Sequence, residues 1–338
     1  MKNLFRGKHG VLLIAEIGGN HEGNFEYAVE LTRKVIETDV DIVKFQLYTG
    51  DTLVNYIQSP ERNAHFKKFE LTKEQYCLLA EMVVNAGKMY SASVWDVGMI
   101  DWIDRYVSIY KIGSGDLTAY PIIEKIAERK KPIILSTGLS SEIEVCQAIR
   151  KIQEFNPMYT RPENLAILQC TSMYPVSMSD ANLSVIRKFK ESTGLTVGYS
   201  DHTEGLKALC YSVAFGAEIL EFHFTDTRDG KVFRDHKVSL APDEIQILIQ
   251  EINLIKKLEG YPLKKPLKIE IDNKHEISFR RAVYPVRDIK KGTIVLEDDL
   301  ICLRPCVGIS ANDYEFVIGK RAKSDIVKYQ KLSFDLFE

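Results

Sequence analysis

A closed (β/α)8 barrel followed by a small β-rich domain is the fold class this 338-residue sequence predicts. Three observations carry the prediction. Strand-like apolar runs alternate eight times with segments of helical period up to roughly residue 260. The runs are apolar on both faces, as parallel strands beneath a helix layer must be. Beyond them the pattern gives way to a proline- and lysine-rich stretch and then to short strands and turns. Eight strand–helix units suit a closed barrel of ~250 residues better than an open doubly wound sheet.

The strands are expected at 11–17, 42–47, 89–94, 109–112, 132–136, 165–170, 196–199 and 218–222. In the first helix Phe25, Ala28, Val29, Thr32, Val35 and Ile36 recur on one face, and in the last Ile245, Leu248, Ile249, Ile252 and Ile255 do so. The Tyr-Pro-Leu-Lys-Lys-Pro-Leu-Lys stretch from Tyr261 reads as a linker. The organisation is therefore a barrel over 1–262, a linker over 263–279 and a small domain over 280–338. Within the last, Asp288-Ile289 and the residues after it recur at Asp325-Ile326, which implies two related halves.

Composition narrows the function classes. A formal net charge of -2 provides no global field for nucleic acid or an acidic membrane. The apolar runs fall far short of the ~20 residues of a membrane span. Six cysteines without paired spacing read as reduced thiols, so the expected location is the cytoplasm.

In such a barrel the C-terminal strand ends converge on one mouth, which makes polar residues there site candidates. They are Glu16, Asn20 and His21 after the first strand, Lys44 and Gln46 on the second, and Lys111 and Ser114 on the fourth. Ser136 and Thr137 end the fifth, Thr171, Ser172 and Tyr174 the sixth, Ser200, Asp201 and His202 the seventh, and Glu221 and His223 the eighth. Two histidines at adjacent strand ends suit a borderline divalent metal such as Mn2+ or Zn2+, with Glu16 close by. Lys44 and Lys111, embedded in apolar strands, each require an anion. That anion is either a bound phosphate or carboxylate, cradled with Ser114, Ser136 and Ser200, or an internal carboxylate of Glu16 or Glu221. A Schiff-base lysine is a further alternative. Asp235, His236 and Lys237 are expected in a polar loop after the last strand, and Arg304 in a turn of the small domain.

Taken together, the strings resemble the sialic acid synthase family. The matching stretches are Ala15-Glu16-Ile17-Gly18-Gly19-Asn20-His21-Glu22-Gly23, Val43-Lys44-Phe45-Gln46, Lys111-Ile112-Gly113-Ser114-Gly115 and Ser136-Thr137-Gly138. Cys170-Thr171-Ser172-Met173-Tyr174-Pro175, Gly198-Tyr199-Ser200-Asp201-His202-Thr203 and Asp235-His236-Lys237 follow in the same order. The tail resembles the antifreeze-like SAF domain, a β-clip, through Arg281-Ala282-Val283, Asp288-Ile289-Lys290-Lys291-Gly292 and Arg304-Pro305.

The resemblance implies a TIM-barrel synthase that condenses phosphoenolpyruvate with the open-chain aldehyde of an N-acylated hexosamine to a nonulosonic acid. The sugar would be N-acetylmannosamine, its 6-phosphate or a 2,4-diacetamido-trideoxyhexose. It further implies His202 and His223 as metal ligands, for Mn2+ first and Mg2+ or Co2+ as alternatives. Glu16 would hold a metal-bound water or act as base, and Lys111 would complete the catalytic set. Lys44, Lys111, Ser114, Ser136, Ser172 and Ser200 would bind phosphoenolpyruvate, and Gln46, Tyr174 and Asp235 the sugar. Arg304 would reach the partner's barrel from a swapped SAF domain, in a homodimer. Phe222, where the family carries lysine, and the basic loop with Arg228, Lys231 and Arg234 bear on sugar choice, and Cys306 stands in place of the glycine after Arg304-Pro305. Another aldehyde-condensing lyase or aldolase, or a non-catalytic glycan-binding protein, are the competing readings.

Overall fold

The computed structural model describes residues 3–338. The chain divides into two compact units, one ending at Gly260 and one beginning at Tyr261. In the first, eight parallel strands close into a barrel: β1 Leu12–Glu16, β2 Ile42–Leu47, β3 Met89–Val94, β4 Val107–Ile112, β5 Ile133–Ser136, β6 Leu165–Cys170, β7 Thr196–Ser200 and β8 Ile219–His223. Closure comes from β1 pairing with β8, in a register that sets Leu12 beside Ile219 and Glu16 beside His223. The (β/α)8 prediction holds. No helix among the described residues is long and apolar enough to cross a membrane.

Strand side chains alternate between the helix layer and the barrel interior. One parity, including Leu13, Ala15, Val43, Phe45 and Phe222, packs under the helices. The other fills the bottom of the barrel with Leu12, Ile14, Ile42, Ile109, Ile134, Leu168 and Ile219, plugged from below by Phe5. Continuing up that second parity on each strand gives Glu16, Lys44, Gln46, Ser93, Lys111, Ser136, Cys170, Ser200, Glu221 and His223. The interior column is thus apolar at its foot and polar at its head. The period of the strand, read with the sequence, therefore delivers the polar groups to one mouth.

The helices follow from capping and amphipathicity. Phe25–Ile36 starts at Asn24, whose side chain accepts from the Tyr27 amide, and carries Arg33 and Lys34 in its last turn, where cations oppose the helix dipole. Pro242–Glu259 opens on a proline at its first position and buries Ile245, Leu248, Ile249 and Ile252. Between β2 and β3 the chain inserts two further helices, Gly50–Leu53 and Pro60–Phe69, ahead of the usual one, Lys73–Asn85.

The second unit contains one two-stranded antiparallel sheet, β9 Ala282–Pro285 with β10 Leu300–Leu303, over a core that includes Val283, Val295, Val317, Ile326 and Leu332. Its internal repeat is visible as symmetry. Ile289 and Ile326 exchange both backbone hydrogen bonds at 2.8 Å. Asp288 accepts from the Lys328 amide and Asp325 from the Lys291 amide, each at 2.8 Å. The two halves thus cap one another reciprocally. The proline- and lysine-rich stretch is followed by two short helices, Lys268–Asp272 and His275–Ser278. The first is started by Glu270, whose carboxylate accepts from the Leu267 amide at 2.6 Å.

Candidate active site

The head of the barrel opens into a cavity of about 430 Å3. Its floor is a buried array of two lysines and two carboxylates. Lys44 Nζ lies 2.6 Å from Glu16 and 3.9 Å from Glu221, and Lys111 Nζ lies 3.4 Å from Glu221. Gln46 donates to Glu16 at 2.7 Å, Ser200 to Glu221 at 3.0 Å, and Lys44 to Ser93 at 3.3 Å. Burial alone would raise the Glu16 carboxyl; Lys44, helped by His223 and Lys111, overrides it and holds the group down at about 2. Of the alternatives open for the two lysines, the internal ion pair is thus present. Two positive charges face two negative ones, so the floor itself is close to neutral.

Above it stand the two imidazoles, their ring centres 5.5 Å apart. The Thr171 carbonyl accepts from His202 Nδ1 at 2.9 Å, which leaves Nε2 as the lone-pair nitrogen. Burial, then the neighbouring His223, pushes His202 down to about 3, so it is neutral at physiological pH. His223 Nδ1 has no hydrogen-bond partner, and the ring lies 4.0 Å from a Glu16 oxygen on one side and 4.0 Å from Asp235 on the other. Tyr174 covers both rings, at 4.0 and 5.7 Å between centres. Among the described residues no three His, Cys, Asp or Glu side chains converge closely enough to hold a metal ion. Two imidazoles, that of His202 neutral with its tautomer set by a carbonyl and that of His223 with an orphaned nitrogen, nevertheless fit a divalent cation that completes its shell from ligands other than protein.

The third wall is a run of hydroxyls. Ser114, Ser136, Ser172 and Ser200 line the cavity, and Ser136 Oγ has no partner although buried. The Gly138 amide donates to Ser114 Oγ at 3.0 Å. A Cβ on Gly138 would press on Ser172 Oγ and lie 2.9 Å from Ser114 Oγ, so only glycine allows both serines this close.

The predicted residues thus fall into groups. Glu16, Lys44, Gln46, Lys111, Ser114, Ser136, Ser172, Tyr174, Ser200, His202 and Asp235 line the cavity, with His223 against its wall. Asp235 belongs to a short helix, Asp235–Val238, rather than a loop. It is pinned there because Asn20 donates to Ser239 Oγ and the Phe224 carbonyl, and Ser239 donates to the Asp235 carbonyl. Asn20 is scaffold, as are Thr137, bonded to the Leu168 carbonyl, Thr171, bonded to the Asp180 carbonyl, and Asp201, which accepts from Tyr199 and Thr203. Phe222 has the outward parity and packs beneath the helices, so it cannot touch a ligand in the cavity. Arg304 belongs to the second unit, where its guanidinium lies over the Phe279 ring at 5.5 Å, and the Cys306 amide donates to the Ile277 carbonyl at 2.8 Å. Sequence reading missed Arg62, His65, Phe66 and Phe69, which line the outer cavity from the inserted helix Pro60–Phe69. That helix has no pronounced apolar stripe, and nothing in its string points to a site.

His21 sits beneath this scaffold, buried, with Nδ1 accepting from the Gly23 amide at 3.1 Å. Burial lowers it to about 4. The unfolded chain therefore binds a proton below about 6.5 that the folded chain refuses until about 4, and stability falls as pH drops through that window. Thermal melts of the native chain should lose about 1–3 kcal/mol between pH 7 and 4 through this group, and His21→Gln should flatten that part of the profile. An unchanged profile would refute the neutral buried assignment.

The model of the NeuB family matches residues 31–264, and that of the SAF domain matches residues 280–337. The chain belongs to the NeuB family. This NeuB-family chain is 34% identical to the N,N'-diacetyllegionaminic acid synthase of Legionella pneumophila, over 93% of its own length and 91% of the relative's. It is 30% identical to a pseudaminic acid synthase of Campylobacter jejuni, over 94% and 93% of the two lengths. Among solved structures, the N-acetylneuraminic acid (sialic acid) synthetase of Leptospira borgpetersenii, crystallised with citrate, superposes with a TM-score of 0.72 at 29% identity, covering 78% of this chain and 90% of that one.

Proposed function

We propose that the chain condenses phosphoenolpyruvate with the aldehyde of an open-chain N-acylated hexosamine, yielding a nine-carbon 2-keto acid and phosphate. The observation that carries this reading is the juxtaposition, at one barrel-mouth cavity and its wall, of a charge-balanced lysine–carboxylate floor with Ser136 Oγ, Glu221 Oε2 and His223 Nδ1, buried atoms without a hydrogen-bond partner. Buried polar atoms are rarely left without partners, so such a set is what a polar substrate would satisfy.

The reaction forms a bond between C3 of the enol and the aldehyde carbon, whose oxygen takes up a proton. Water adds to the cationic C2 and loses a proton, and rupture of the C2–O bond releases phosphate and leaves the ketone. Lys44, Lys111 and the four serines would hold the phosphate and carboxylate. This presents C3 to the acceptor, a positional contribution that reaches ~7–11 kcal/mol in well-oriented reactions. Because the floor is nearly neutral, an anionic substrate calls for one more cation. His202 and His223 would hold it, Mn2+ first and Mg2+ or Co2+ as alternatives, and when bound it would supply Lewis-acid polarisation of the aldehyde oxygen. Glu16, held down at about 2 and engaged by Lys44 and Gln46, is poorly matched to general-base work near neutrality and better suited to fixed electrostatic support. Gln46, Tyr174 and Asp235 would face the sugar. The Schiff-base alternative loses support because each lysine sits against a carboxylate instead of being presented as a nucleophile.

The test is sugar-dependent phosphate release from phosphoenolpyruvate with mass detection of the nine-carbon acid, on metal-stripped protein before and after Mn2+ is restored. Stripping should lower turnover at least 100-fold and Mn2+ should restore it. Equilibrium dialysis should show about one Mn2+ per chain, lost in His202→Ala and His223→Ala. Full Mn2+ binding in both variants would remove the histidines from the metal site. The proposed unit is a homodimer in which Arg304 serves the partner's barrel. Mixing inactive Arg304→Ala and His202→Ala chains should then recover part of the activity, and no recovery in demonstrated mixed dimers would refute the exchange.

A further inference from the structure

The outer half of the cavity differs in chemistry from its floor. The inserted helix Pro60–Phe69 brings His65, Phe66 and Phe69 to it, and the segment after β8 brings Phe233. His65 and Phe69 lie 4.4 Å apart between ring centres, Phe69 and Phe233 5.0 Å, and His65 and Phe233 6.0 Å. Gly19 lies beneath this group: a Cβ there would reach to 3.2 Å from the Phe233 ring, so the glycine makes room for it. Beside it, Phe66 meets Tyr48 at 5.2 Å and Tyr48 stacks on Trp95 at 5.3 Å.

The cations of the segment after β8, which could answer a phosphate on the acceptor, are each engaged within the chain. Arg228 makes two bonds to Glu244, at 2.6 and 2.7 Å, and a third to the Ser239 carbonyl. Lys231 lies 3.8 Å from Asp226 and 4.0 Å above the Tyr27 ring. Arg234 donates to Asp235 at 3.2 Å and lies over Tyr174 at 4.8 Å. Among the described residues, of the lysines and arginines lining the cavity, Arg62 alone lacks a carboxylate partner, and it lies over Phe66 at 5.7 Å. One arginine matches a neutral acyl carbonyl, whereas a phosphate dianion against aromatic faces would be left short of donors.

We propose that His65, Phe69 and Phe233 form a shelf that receives the end of the acceptor remote from its aldehyde and selects a sugar whose C6 is a methyl group over one bearing hydroxyl or phosphate. This rests on the synthase reading above and names its acceptor class, a 6-deoxy N-acylated hexosamine. The shelf residues are determinants of specificity and take no part in bond making.

Phosphate release is measured with three acceptors: a 2,4-diacetamido-2,4,6-trideoxyhexose, N-acetylmannosamine and N-acetylmannosamine 6-phosphate. The expected result is a kcat/KM for the 6-deoxy sugar about 10–200-fold above the other two, the range one apolar group commands in a fitted pocket. Phe233→Ala should raise the KM for that sugar about 10-fold while leaving the KM for phosphoenolpyruvate unchanged, and Phe233→Leu should retain much of the preference and report on folding. Equal or better use of either other acceptor would overturn the shelf and leave the synthase standing. The same holds if Phe233→Ala alters the phosphoenolpyruvate KM in place of the sugar's. Release with none of the three would overturn both readings.

Discussion

Replacing Lys44 with methionine should lower stability by about 3–5 kcal/mol and reduce turnover at least 100-fold. Lys44 is 2% exposed and is the partner that holds the Glu16 carboxylate, at 2.6 Å, against the cost of its own burial. Methionine fills most of the space but leaves Glu16 as an uncompensated buried charge, the situation in which removing one half of an ion pair is most destabilising. A second substitution separates structure from function. Lys44→Met combined with Glu16→Gln removes both charges, and denaturant unfolding should show most of the lost stability returning, since a neutral pair in such a site is often no worse than the ionic one. Activity should not return with it, because the ammonium is also the proposed grip on phosphoenolpyruvate. Recovery of turnover in the double variant would reduce Lys44 to a purely structural role. A single variant that unfolds at the native denaturant midpoint would contradict the buried pair itself.

Gly138→Ala should reduce kcat/KM about 100-fold with a much smaller effect on folding. The new methyl would press on two hydroxyls, those of Ser172 and Ser114, while the β5 backbone beneath it stays in register with β4 and β6. The serines turn away at little cost in stability, but their oxygens leave the cavity, and displacements of about 1 Å in a positioning group are enough for losses of this order. The KM for phosphoenolpyruvate should carry most of the change. Ser172→Ala, which vacates the space, should relieve part of the steric effect when added to Gly138→Ala without restoring the hydroxyl. Native kinetics in Gly138→Ala would mean that neither serine contacts the substrate.

These two positions show unequally in the chain. Lys44 could be read directly, because an ammonium within Ile-Val-Lys-Phe-Gln must have an anionic partner, and strand parity shows it facing the barrel interior. Gly138 is one glycine in Ser-Thr-Gly, and only the neighbouring hydroxyls reveal why it has no side chain. Parity likewise assigns Glu16, Lys111, Ser136, Ser200 and Glu221 to the interior, and cap residues and apolar faces delimit the helices. The reciprocal aspartate caps at Asp288 and Asp325 are legible as a repeated string.

By itself, then, the sequence determined what a local period can encode: eight strands beneath a helix layer and the polar character of the mouth. The tertiary structure decided everything that depends on which strands become neighbours. Pairing of β1 with β8 brings Glu16 level with His223, while Lys44 on β2 spans both Glu16 and Glu221. An unpartnered strand holds no information on that register until the sheet closes. The aromatic shelf is the furthest case, since Phe69 and Phe233 meet only because an inserted helix and the segment after β8 reach the same rim. Contacts between side chains distant in the chain are set by packing of whole elements against a common core, and no period of 2 or 3.6 residues reports them.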